Sequence, residues 1–120
     1  MPRRRRPNAA AEDLSPRNPQ YLSELAQLLA RTGGAEQALA LFRTAQESTE
    51  FLGPVDAPAA LARALRGQGY ALIELGRYDE AEAIYHQVLE KTPDDRIARG
   101  QLQYVAQQRA AGAQRRAPPP

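Results

Sequence analysis

Residues 65–93 read LRGQGYALIELGRYDEAEAIYHQVLEKTP, and the pattern specifies two short helices folded against each other. Leu65, Gly69, Leu72 and Leu75 recur at helical spacing along the first. Gly76 stops that helix, with Arg77 and Tyr78 in the turn. Along the second, Ala81, Tyr85, Val88 and Leu89 fall on one face. The small residues Gly69 and Ala81 let the two backbones approach closely, while Tyr78 and Tyr85 fill the space beside them. Thr92-Pro93-Asp94-Asp95 ends the pair, because proline does not extend a helix but can open the next one.

The same pattern occurs once more upstream. Asn18-Pro19 is a helix start, with asparagine as cap and proline at the first helical position. Leu22, Leu25, Ala26 and Leu29 mark one face, Gly33-Gly34 breaks the helix, and Ala38, Phe42 and Ala45 face inward on the next. Gly33 and Gly76, Ala38 and Ala81, and Phe42 and Tyr85 are each 43 residues apart. That common offset is an internal repeat. Between the copies, Phe51 and Leu52 carry the second helix a turn further, Gly53-Pro54 terminates it, and Asp56 caps the next helix with Pro58 in its first turn. Downstream, a fifth helix is expected from about 94 to 110, packing Ala98, Leu102, Val105 and Ala106 backward and turning Gln101, Gln103, Gln107, Gln108 and Arg109 to water.

Taken in order, Leu65-x2-Gln68-Gly69-x2-Leu72, Gly76, Tyr78, Ala81-x3-Tyr85 and Pro93 resemble one unit of the tetratricopeptide repeat, a helix–turn–helix of 34 residues. Leu65, Gln68 and Leu72 stand where that family often has tryptophan, leucine and tyrosine. The upstream copy matches at Leu25-Ala26-x2-Leu29, Gly33 and Ala38-x3-Phe42. The resemblance implies an all-α solenoid of two antiparallel hairpins plus a capping helix. Repeat one spans about 18–52, repeat two about 57–92 and the cap about 94–110, within a domain at 17–111. The lengthened spacing and the Leu52-Gly53-Pro54 connector are similar to the kinesin light chain subgroup. Such repeats bind extended peptides or partner helices on the concave side, lined by the first helix of each unit. By that resemblance the groove comprises Gln20, Ser23, Gln27 and Arg31, then Arg63, Arg66, Tyr70, Ile73 and Glu74, and Ile97 and Tyr104 from the cap. Tyr70, Ile73 and Tyr104 supply apolar contact and Arg63 and Arg66 set the polarity, although Tyr70 and Tyr104 also have the option of packing on each other. The lysine, asparagine and arginine set that clamps chaperone C-termini is replaced here by Ser23, Gln27, Tyr70, Ile97 and Gln101.

Composition bounds the rest. The chain has 120 residues, no cysteine and a net charge of +2. Six arginines, Arg3 to Arg6 with Arg115 and Arg116, lie in the tails, and without those six the chain has 10 basic against 14 acidic residues. Residues 1–16 and 112–120, rich in arginine, alanine and proline, are expected to be disordered. The tails are a weaker candidate for nucleic-acid contact. His86 is the lone histidine, so no histidine-rich metal site is expected. Asp79, Glu80 and Glu82 complement the dipole at a helix start rather than forming an acid–base set. No apolar run is long enough to span a membrane. The expectation is a non-catalytic, cofactor-free and cytoplasmic interaction module with a protein or peptide partner, and the alanine- and arginine-rich composition points to a bacterial coding sequence. Two repeats fall short of the roughly three that a stable stack usually needs, so a homodimer is a second expectation.

Overall fold

The computed structural model describes residues 18–116, with side chains to residue 113; the expectations for residues 1–16 and 117–120 lie outside the described residues. Five α-helices and no strand occur among them. They are α1 (Pro19–Arg31), α2 (Ala35–Ser48), α3 (Ala57–Glu74), α4 (Tyr78–Lys91) and α5 (Arg96–Arg116). A single 3-10 turn, Thr49–Phe51, prolongs α2. Each helix packs on the next, and α1 also touches α3, so the chain is an all-α stack of hairpins.

Local chemistry accounts for the boundaries. The Tyr21 amide donates to the Asn18 side-chain oxygen at 3.0 Å, with Pro19 in the first turn. Gly33 and Gly76 both adopt positive φ, 90° and 75°, where a side chain would be strained. After each, the same closing bond forms: the Gly34 amide donates to the Leu29 carbonyl at 2.7 Å, and the Arg77 amide to the Leu72 carbonyl at 2.8 Å. The repeat offset of 43 therefore extends to individual hydrogen bonds. At the start of α4 the exposed Arg77 donates to both Glu80 carboxylate oxygens, which holds that carboxyl below its usual range.

Several boundaries differ from expectation. Tyr78 begins α4 rather than lying in the turn. Pro93 does not open α5; the helix starts at Arg96, and Asp95 caps it by accepting from the Ala98 amide at 3.0 Å. Pro93 instead offers its carbonyl to the Arg99 guanidinium at 2.6 and 2.9 Å. Asp56 occupies the cap position of α3 without a capping side-chain bond. The last helix runs to Arg116, past its expected end near residue 110, because 111–116 has no proline or terminal cap to stop it.

The core is built at the matched positions. Ala26, Ala38, Phe42, Leu65, Leu72, Ala81 and Tyr85 are all buried in one cluster, which α5 closes with Ala98 and Val105. Leu29 and Tyr78 pack partly against it, and Leu25 is half-buried. Helix α3 lies between two aromatic rings. A Cβ at Gly69 would sit 2.4 Å from the Tyr85 ring of α4, so this glycine, expected to admit a neighbouring backbone, makes room for a ring. A Cβ at Gly67 would sit 2.2 Å from the Phe42 ring of α2, a contact that the sequence reading missed. Two glycines two positions apart face nearly opposite sides of a helix, so α3 can be gripped from both sides. Gln68, between them, is buried and donates to Gln46 of α2 at 2.6 Å. That bond explains why a polar side chain is tolerated where the family often has leucine.

Candidate functional site

The first helices of the two hairpins present stripes to a shared cleft. On α1, Gln27 and Arg31 are one turn apart; on α3, Arg63, Gly67 and Tyr70 follow at spacings of four and three. Together with Arg66, Phe42 and Ile97 of α5, these residues line one cleft of about 350 Å³. Phe42 and Gly67 contribute to its walls at the point where α2 and α3 touch. A second cleft, about 490 Å³, lies where the N-terminal ends of α1 and α3 meet, lined by Asn18, Pro19, Gln20, Ser23, Leu52, Asp56 and Arg63 among others. Arg63 lines both clefts.

Of the expected groove residues, Gln27, Arg31, Arg63, Arg66, Tyr70 and Ile97 are brought together in the first cleft. Gln20 and Ser23 line the second, Ser23 almost wholly buried. One placement is corrected, and two residues lie outside both clefts. Ile73 is 7% exposed and belongs to the core, because α3 is covered on that side by the rest of the stack. Glu74 is exposed but lines neither cleft. Tyr104 is exposed on α5 and also stands outside both. Phe42 was expected only to face inward, and no local signal marks Gly67, a glycine that faces a ring 25 positions away.

The electrostatics separate two arginines that looked equivalent. Arg66 is bonded to Asp95 at 2.9 Å, and the Asp95 side chain is only 8% exposed. Removing Arg66 would strand a nearly buried carboxylate, so this residue stabilises the α3–α5 junction. Arg31 and Arg63 carry no ion pair among the described residues. On the far side of the stack, Arg109 of α5 reaches Asp79 and Glu82 of α4, each at 2.8 Å. Gln101, expected to face water, is half-buried beside Tyr85.

Behind the cleft, the Tyr85 hydroxyl donates to the Arg66 carbonyl at 3.3 Å. Burial pushes this phenol up to about 12, with the Gln101 side chain pulling the other way. The unfolded chain ionises it near 10. Its contribution is thus fully present below about pH 10 and is lost as pH rises toward 12, on the order of 2–3 kcal/mol in all. Urea midpoints between pH 9 and 12 should fall more steeply for the parent than for Tyr85→Phe; parallel profiles would show that ring burial does not govern the alkaline limit.

Among the described residues no group of three or more His, Cys, Asp or Glu is placed to hold a metal ion. No described helix is long and apolar enough to cross a membrane. His86 is exposed. The repeated hairpins and their shared offset define a helical-repeat protein. Residues 62–95 match the family model of the tetratricopeptide repeat. The match runs from Ala62 in α3 to Asp95, the cap of α5. No curated protein and no solved structure matches the chain significantly.

Proposed function

We propose that this chain is a non-catalytic protein-interaction module that binds a peptide or partner helix in the cleft between α1, α3 and α5. The observation that carries the reading is the convergence of Gln27, Arg31, Arg63, Tyr70 and Ile97, from three helices, on one open cleft. Tetratricopeptide repeats are generally scaffolds for such contacts, and a cytoplasmic setting is part of this reading. The lengthened connector, with its 43-residue spacing, supports the kinesin-light-chain-like subtype. In such a site an apolar anchor supplies binding energy and the arginines orient the ligand. Arg66 is a poor probe, since it is committed to Asp95. Tyr70→Ala combined with Arg63→Ala is the better one, as Tyr70 is 36% exposed. Peptides selected from a displayed random library on the parent protein should bind the double variant at least about tenfold more weakly. Undiminished binding by a variant of normal helicity removes the cleft as the site.

A second reading, a homodimer, is favoured by the outer face of α1. Leu28 is 53% exposed there, and Tyr21 and Leu25 are only half-buried. Covering that face with a second chain would stabilise the short stack. Light scattering across a dilution series should then give a mass that falls toward the monomer; a monomer at every concentration disposes of it.

A further inference from the structure

The cleft between α1, α3 and α5 has a charge that the rest of the folded chain lacks. Arg31, Arg63 and Arg66 line it and no carboxylate does, although within residues 17–111 acidic residues outnumber basic ones, 12 to 10. Asp95 neutralises Arg66 from the junction behind. Two guanidiniums, Arg31 and Arg63, therefore stand without an ion pair among the described residues, on either side of a concave surface that concentrates their field. Beside them are the exposed faces of Tyr70 and Ile97, 36% and 58% accessible.

From this complementarity we infer that the occupant is an acidic peptide, with carboxylates paired to Arg31 and Arg63 and an apolar side chain resting on Tyr70 and Ile97. The inference rests on the groove reading above and specifies its ligand. Guanidinium also suits phosphate, but a nucleic-acid strand fits this surface less well. Asp56 lines the adjoining cleft that Arg63 also lines, so a carboxylate interrupts any continuous phosphate track.

The test is fluorescence anisotropy on the full chain with four labelled probes. Three are octapeptides sharing a central Leu-Phe pair, flanked respectively by glutamate, glutamine or lysine; the fourth is an eight-nucleotide thymidine strand. The glutamate peptide should bind at least about tenfold more tightly than its glutamine counterpart at low salt, with the gap closing as salt rises. Arg31→Glu combined with Arg63→Glu should reverse the order in favour of the lysine peptide. Arg63→Gln serves if the reversal variant fails to fold, and should lower affinity for the glutamate peptide only. Equal binding of the glutamate and glutamine peptides, or tighter binding of the oligonucleotide, overturns the inference. If Tyr70→Ala still weakens the peptides in that case, the groove reading survives alone. If Tyr70→Ala changes nothing, or no peptide binds, both fall.

Discussion

Phe42→Ala should lower the stability of this chain by about 3–5 kcal/mol, the range for emptying a buried phenylalanine site. The ring is 1% exposed and lies against Gly67. A glycine has no side chain to swing into the vacated space, so the cavity closes only if α3 itself moves. The total stability of a domain this size is on the order of 5–10 kcal/mol, and the variant should be largely unfolded near its former melting temperature. A size exchange makes the argument specific. Gly67→Leu alone should also destabilise the fold, yet in the Phe42→Ala background it should recover part of the loss, because the new side chain occupies the space left by the ring. Urea unfolding of the four proteins measures that coupling. Additive losses would mean that Phe42 and Gly67 do not share one packing site.

Gly69 carries the second large expectation. Alanine is favoured over glycine inside a helix by about 1 kcal/mol, so propensity alone predicts that Gly69→Ala stabilises α3. Packing predicts the opposite. The added Cβ would stand 2.4 Å from the Tyr85 ring, inside the contact distance of real side chains. That ring is 1% exposed and tethered by its hydroxyl to Arg66, so it has little room to retreat. Overpacking costs about 1–3 kcal/mol and sometimes more. The net for Gly69→Ala should be a loss of about 1–2 kcal/mol, and Gly69→Leu should lose 3 kcal/mol or more. Thermal melts followed at the helical band decide the sign. A Gly69→Ala protein more stable than the parent would show that α3 and α4 are not held at the separation described.

How far the residues could be read follows from the range of each interaction. Helix starts and stops depend on neighbours within a few positions: Asn18 caps the amide of Tyr21, and Gly76 supplies the positive φ that closes α3. The same holds for the repeat, which needs only that Ala38 and Phe42 recur as Ala81 and Tyr85. Those features, and with them the stack of two hairpins and a closing helix, were legible in one dimension. The cleft was legible in part, because Gln27, Arg31, Arg63 and Tyr70 follow helical spacing and the first helices of the units share a side.

What the tertiary structure alone decided lies across long sequence separations. Ile73 alternates with groove residues by helical geometry, yet the stack covers it and makes it core. Arg66 and Arg63 are one turn apart on the same helix; only the return of the chain 29 residues later places Asp95 against one and leaves the other without an ion pair among the described residues. Gly67 looks like a weak point in α3 until the Phe42 ring is set against it. Periodicity assigns a residue to a face, but which faces are covered, and by what charge, is fixed only when distant helices meet.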